Sequence, residues 1–233
     1  MTGVAGIIVA MEHLGTVLMI WAHPDDETYL AGGLSAALTD AGHRVVCVTA
    51  TRGAAGGDAD VRSTELEAAL TVLGVTEHHW LEYDDGACAS VDPAEAATRL
   101  GRLLDHVRPD TVVTFGQDGF TGHPDHRAVN GWTDLAILGA RETPLLLHSV
   151  ARPQPLDADL DENFNVFELG RPRVCADDEL ALLLELDGEL LDRKVEALLR
   201  QWSQTGGLVE AVGLDRFRTW VSQEAFAAPL QTA

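Results

Sequence analysis

The chain is poor in positive charge. Its 233 residues hold 16 Lys and Arg against 37 Asp and Glu, a formal net charge of −21. Nucleic acid and anionic membrane surfaces both need basic side chains to neutralise phosphate, so this balance argues against either as a partner. The acid is read as a solubilising surface, with residues 157–196 especially rich in it. Cysteine is scarce as well. Cys47, Cys88 and Cys175 form no CxxC, which excludes a disulfide framework and points to a reducing, cytoplasmic setting. Cys47 sits inside an apolar run and reads as a small core residue. No apolar stretch approaches the roughly 18 residues needed to cross a bilayer. Residues 1–10 carry an apolar patch without the basic leader of a signal peptide, and Met11 is an alternative start. Repeats and low-complexity segments are absent. No GxGxxG follows the first apolar run, which sets aside a nucleotide-binding enzyme of the dinucleotide type.

What is present is a core-forming chain, 46% hydrophobic. Its length predicts a flexible extension over residues 1–10 and a single domain over 11–233, with 151–233 as a C-terminal elaboration. Strand patterns fall at Val17–Ala22, Arg44–Ala50, His78–Leu81, Thr111–Phe115 and Leu145–Val150. Helical patterns lie between them, near 28–41, 62–73, 93–107 and 124–139. Asp92-Pro93 is a helix start, and Gly42 and Gly74 sit where helices should stop. This alternation predicts an α/β fold, a doubly wound, mostly parallel sheet with helices on both faces. Beyond residue 150, Arg152-Pro153-Gln154-Pro155 reads as a loop and Phe164–Leu169 as a short strand. Glu179–Gln204 reads as one long helix with a leucine face that takes Trp202 into the core. Trp132 and Trp220 are read as core or subunit-contact residues, and the tail after Gly206 has no clear pattern.

Two motifs carry the chemistry. Trp21-Ala22-His23-Pro24-Asp25-Asp26-Glu27 follows the first strand directly. Gly122-His123-Pro124-Asp125-His126 follows the strand Thr111–Phe115 after a short interval. In an open α/β sheet, ligands bind at the carboxyl ends of strands where the strand order reverses. With the order 3-2-1-4-5, strands 1 and 4 are neighbours at that point and the motifs share one crevice. His23 and Asp26, three apart in a tight turn, can reach one ion, and an imidazole from the second motif can complete the set. Two imidazoles and one carboxylate leave a divalent ion net positive, able to acidify water toward a pKa of roughly 7. Asp25 can act as general base, and a protonated His123, if the other histidine holds the metal, can steady an oxyanion and give a proton to a leaving amine. Chemistry alone leaves open whether His123 or His126 binds the metal. Each motif alone has a bland reading, as an acidic helix start or a histidine pair on a solvated helix; together, at two strand ends, they point to a metal site.

These residues resemble the LmbE-like (PIG-L) superfamily of zinc-dependent deacetylases. That family has AHPDDE after its first strand and a GHPDH-type motif after a later one, matched here by Ala22–Glu27 and Gly122–His126. The resemblance runs over about residues 15–205 in motif order. It implies a Rossmann-like fold and removal of acetate from N-acetylglucosamine-type amino sugars. It also implies roles: His23, Asp26 and His126 as metal ligands, Asp25 as general base, and His123 as the acid or electrostatic helper. Arg62 and Asp85 match substrate-contacting positions, against a simpler reading of both as surface polar residues. Zinc is the expected ion, and iron(II) fits the same donors. There are departures. Thr51-Arg52-Gly53 is followed by Ala54 where the family often has Glu. Phe120 and Thr121 stand where some members have a tyrosine. The helix end reads Gln201-Trp202-Ser203-Gln204 in place of His-x-Ser-Gln. They leave the metal chemistry intact and the substrate open. The expected partner is a small N-acyl sugar or conjugate, with neither nucleic acid nor membrane; a homo-oligomer is compatible. Two other functions fit the same residues: an amidase acting on another acylated conjugate, such as a thiol conjugate or an antibiotic, and a non-catalytic metal or sugar-binding module. Gly53, Gly56 and Gly57 read as a loop bordering the site.

Overall fold

The computed structural model describes residues 11–153 and 164–230. The expectations for residues 1–10 lie outside the described residues, as do Gln154 and Pro155 of the expected loop.

Three runs of β-forming residues make the centre. β1 (Val17–Trp21), β2 (Val45–Thr51) and β4 (Thr111–Phe115) are buried along their whole length. A strand covered on both faces reads as an unbroken apolar run, and that is the composition of a parallel sheet packed between helices. β3 (Glu77–Tyr83) carries Glu, His and Trp on an edge and stays partly exposed. The sheet has seven strands in the order β3-β2-β1-β4-β5-β7-β6. β1 to β5 (Leu145–Val150) are parallel, with Val17 to Met19 in register with Thr111 to Val113. The expected order 3-2-1-4-5 is therefore observed, and β1 and β4 are neighbours. β7 (Gln223–Ala227) and β6 (Leu182–Glu185) continue the sheet antiparallel.

The helices begin and end where local chemistry directs. α1 (Asp26–Asp40) follows the first motif without a break. α2 (Ala59–Leu73) starts three residues earlier than its apolar pattern, because Asp58 accepts hydrogen bonds from the Asp60 and Val61 amides. Gly74 ends it in the left-handed conformation. α3 (Pro93–Val107) is capped by Asp92 and buries Ala96, Leu100, Leu104 and Val107, one face of a 3.6-residue repeat. α4 (Pro124–Leu138) grows out of the second motif and buries Trp132.

The C-terminal part departs from its pattern reading. Phe164–Leu169 is a set of turns, not a strand: Asn165 has φ +53°, and Glu168 N donates to Asn165 O. The long helix expected over Glu179–Gln204 is three elements. Leu182, Leu184 and Leu186 are buried at strand spacing, with Leu182 and Leu184 in β6 paired to β7. α5 (Gly188–Arg200) then runs to a break at Gln201, and α6 (Trp202–Val212) begins there. The break turns Trp202 outward, so it is 48% exposed and not in the core. The tail adds α7 (Leu214–Trp220) before β7. Among the described residues no helix is long and apolar enough to cross a membrane.

One fully buried ion pair joins this part to the first motif's helix. Lys194 Nζ of α5 lies 2.8 Å from Glu224 Oε1 of β7 and donates to Tyr29 O at 2.9 Å. α1 is kinked at Ala31, which frees backbone amides in mid-helix. Glu224 accepts from two of them, Gly33 N at 2.7 Å and Leu34 N at 2.8 Å. Removing one member of a buried pair leaves the other charge uncompensated, so Lys194→Met should lower unfolding stability by ~3–5 kcal/mol. Urea unfolding checks this; a loss under about 1 kcal/mol would mean that the two amides alone balance the Glu224 charge.

Candidate metal centre

The two motif turns leave adjacent strands at their carboxyl ends and meet. His23 is 8% exposed, Asp26 7% and His126 6%. The Asp26 carboxylate accepts from the His23 amide at 2.8 Å, which closes the His-Pro-Asp-Asp turn on itself. Asp25 takes φ +114° in that turn, a strained value for a residue with a Cβ. Glu27 holds the strained turn by accepting from the Asp25 amide at 3.0 Å, and Gln201 Nε2 donates to Glu27 at 2.7 Å. The second turn needs its glycine. Gly122 has φ +79°, and a Cβ there would lie 2.3 Å from Leu169 O.

Three side chains converge, with a different Asp26 oxygen facing each imidazole. His23 Nδ1 is 3.1 Å from His126 Nε2 and 3.6 Å from Asp26 Oδ2, and His126 Nε2 is 3.3 Å from Asp26 Oδ1. Ligands held tetrahedrally at about 2.0–2.1 Å stand about 3.3 Å from one another, so the set fits a small divalent cation. The far side of each ring is committed. His126 Nδ1 donates to Gly119 O at 2.9 Å, and Phe115 stacks on the ring at 4.1 Å between centroids. His23 Nε2 lies 3.0 Å from Asp85 Oδ1 and 3.3 Å from Asp125 Oδ2. A proton held on each outer nitrogen turns the inner lone pair toward the shared point, the usual outer-shell device of metal-binding imidazoles.

Electrostatics agree with a cation at this place. Burial opposes charge on His23, but Asp125, Asp85 and Asp26 outweigh it and push its pKa up to about 10. His126 is shifted down by burial, which keeps it neutral and fit to ligate. Burial raises Asp25 well above the usual carboxylate range, and the Asp26 charge adds to this while Arg62 opposes it. His123 is lowered, first by burial and then by the charge on His23. Its Nδ1 accepts the Asp125 amide at 3.2 Å, so the ring is neutral with its proton on Nε2, not the protonated ring expected from the sequence. His123 also gathers with His23 and His126 in one imidazole cluster.

All seven residues singled out in the sequence line one cavity of about 780 Å³: His23, Asp25, Asp26, Arg62, Asp85, His123 and His126. Arg62 is not a surface residue. It is 4% exposed, donates to Gly53 O at 2.8 Å and Pro24 O at 2.6 Å, and lies 3.5 Å from Asp25. Gly53 makes this possible, since a Cβ there would lie 2.4 Å from the guanidinium. Arg62 Nε is buried with no hydrogen-bond partner among the described residues. Asp85 is not free on the surface either; besides His23 it accepts from Ala55 N at 2.7 Å. Gly56 borders the same cavity. Sequence reasoning passed over Asp125 as a working residue. It is fully buried and accepts from Gly86 N at 2.7 Å and Cys88 N at 3.1 Å as well as facing His23. Its place between the two histidines of the second motif was visible; its partners, 37 to 39 residues away in the chain, were not.

A mostly parallel α/β sheet with imidazoles and carboxylates gathered at the carboxyl ends of adjacent strands defines an α/β protein with a candidate catalytic metal centre. The family follows: the chain belongs to the PIG-L family, whose model, described as GlcNAc-PI de-N-acetylase, matches residues 18–137. It is 32% identical over 160 residues to the 1D-myo-inositol 2-acetamido-2-deoxy-alpha-D-glucopyranoside deacetylase of Kineococcus radiotolerans, covering 52% of this chain and 44% of that one. Against the protein of the same name from Corynebacterium glutamicum strain R it is 32% identical over 217 residues, covering 78% and 72%. The match thus spans less than half of the first relative and nearly three quarters of the second. The N,N'-diacetylchitobiose deacetylase of Pyrococcus horikoshii shares the fold, with a TM-score of 0.62 at 20% identity over 94% of this chain and 85% of that one.

If Asp125 orients His23, Asp125→Asn should weaken zinc binding about 10–100-fold, read by competition with a chromophoric chelator. Unchanged affinity would show that Asp85 alone sets the ring.

Proposed function

We propose that the chain is a metal-dependent hydrolase that removes acetate from an N-acetylglucosamine-type amino sugar. The observation that carries this reading is the convergence of His23 Nδ1, Asp26 Oδ and His126 Nε2 within 3.1–3.6 Å, with Asp25 and His123 lining the same cavity. The relatives named as acting on a 2-acetamido sugar support the substrate class.

His23, Asp26 and His126 would hold the cation; zinc suits this mixture of imidazole and carboxylate, and iron(II) is the alternative. When bound, the ion supplies Lewis acidity, which polarises a carbonyl oxygen and acidifies water. The chain's own side chains do the rest. Asp25, its proton affinity raised by burial, accepts a proton from the attacking water. The water oxygen bonds to the amide carbon, and the carbon–nitrogen bond breaks. The proton held on Asp25 passes to the departing amine as acetate forms. His123 serves as a neutral donor, because the Asp125 amide occupies Nδ1 and leaves Nε2–H for the developing oxyanion. Arg62, bonded to Pro24 O and close to Asp25, sets the position of the base.

Asp25→Asn should keep one bound cation per chain and lower acetate release from N-acetylated amino sugars by at least about 100-fold. Metal analysis and an acetate assay on the same sample test both halves; a variant with near wild-type turnover would remove Asp25 from this role. Stripping the protein with dipicolinate should abolish turnover, and adding zinc or iron(II) back should restore it.

A further inference from the structure

A second cavity, of about 350 Å³, lies at the carboxyl ends of β4 and β5. It shares Val150 with the first cavity and is lined by none of the seven residues gathered there. Its walls are residues 116–118, which follow β4, the end of β5, and residues 171–173. The charge of this lining runs against that of the chain. Among the described residues it holds two guanidiniums, Arg171 and Arg173, and one carboxylate, Asp118, in a protein of net charge −21. Both walls are fixed by backbone bonds. Ala151 N donates to Arg173 O at 2.9 Å and Cys175 N to Ala151 O at 2.9 Å, which ties the arginine stretch alongside the end of β5. Arg173 Nη1 donates to Ala228 O at 3.0 Å, a bond that uses one of its five N–H groups. On the opposite wall, Gly119 N donates to Gly116 O at 2.9 Å and Phe120 N to Asp118 Oδ1 at 2.6 Å. Gly116 lets the Asp118 carboxylate lie close over it, since a Cβ there would stand 2.9 Å from Oδ2. His148 is the buried polar member of the lining, 3% exposed. Asn130 Nδ2 donates to its Nε2 at 3.3 Å, so the ring carries its proton on Nδ1.

These groups select a ligand. A guanidinium keeps its charge and matches the paired oxygens of a carboxylate or phosphate. An ionised carboxylate only accepts, so Asp118 suits a hydroxyl and repels a second anionic group. A cation would meet two like charges, and a neutral sugar would forgo the charge-assisted bonds. We infer that this cavity is a second binding site, for a small organic molecule with one anionic group and neighbouring hydroxyls. A sugar phosphate and a sugar acid both carry that chemistry, and the cavity volume lies at the small end of the range for ligand sites. The inference is independent of what the metal centre cleaves.

Titration calorimetry on the zinc-loaded full chain tests this with glucose 6-phosphate, gluconate and neutral glucose, in low salt. At least one anion should bind with a Kd below about 1 mM, and glucose at least about tenfold more weakly. The tighter anion identifies the group as phosphate or carboxylate. Arg173→Gln and Arg171→Gln should each weaken that binding at least about fivefold while the bound zinc and the unfolding midpoint stay unchanged. Zinc itself attracts anions, so the titration is repeated after the metal is stripped with dipicolinate and the chelator dialysed away; the affinity should hold within about twofold. Affinity that both arginine variants leave unchanged, or that vanishes with the metal, places the anion at the metal centre and overturns the inference. Equal binding of glucose, or no binding of either anion up to about 10 mM, overturns it as well.

Discussion

One buried carboxylate holds the centre together. Asp125 accepts from the Gly86 and Cys88 amides and faces His23 Nε2, while its own amide donates to His123 Nδ1. It therefore joins the end of β1, the loop after β3 and the start of α4. A carboxylate out of water must have its lone pairs met, and here they are met by groups that need fixed positions. That bond set orients the His23 and His123 rings, while Gly119 O and Phe115 orient His126. Orientation is what makes the ligand side chains converge instead of merely cluster.

The parallel ladder between β1 and β4 supplies the other constraint. Val17–Met19 in register with Thr111–Val113 fixes the two strand ends side by side. The first motif then needs only a tight turn to reach the crevice, and the second reaches it through a short helical segment, Gly119–Gly122. The strain of the first turn, Asp25 at φ +114°, and the close packing of the second, Gly122 at φ +79°, are both met by neighbouring contacts. Glu27 and Gln201 brace the first turn, and Leu169 and Gly170 pack against the second. The C-terminal part thus acts on both turns. Its buried Lys194–Glu224 pair anchors α1 at the kink. The same helix carries Asp26 in its first turn.

The five parallel strands and the helices between them were legible because their patterns are local. β1, β2 and β4 are apolar throughout, and Asp92 and Gly74 mark helix ends by bonds reaching only a few residues; Asp58, which caps a helix three residues before its apolar pattern, was not legible in that way. The C-terminal part was misread for a reason just as local. Leu182, Leu184 and Leu186 follow a strand spacing, but they run into a leucine-rich helix, and leucine favours helices. Only pairing with β7, some forty residues later, settles that stretch as a strand. Trp202 is exposed because the chain breaks at Gln201, a break the helical pattern runs straight through.

By itself the sequence determined which atoms can do chemistry. Two His-Pro-Asp turns after buried strands name the imidazoles and carboxylates, because residue type and strand-end placement are properties of short segments. The tertiary structure alone decided what surrounds them. It buried Arg62 beneath the first turn, set Asp85 and Asp125 on His23, and separated His126, which meets Asp26, from His123, whose Nδ1 is taken by a backbone amide. All but the His123 bond, which is local, depend on a distance of about 3 Å between groups tens of residues apart. Local pattern carries no record of such distances, since they are set by how the sheet is ordered and how its loops pack.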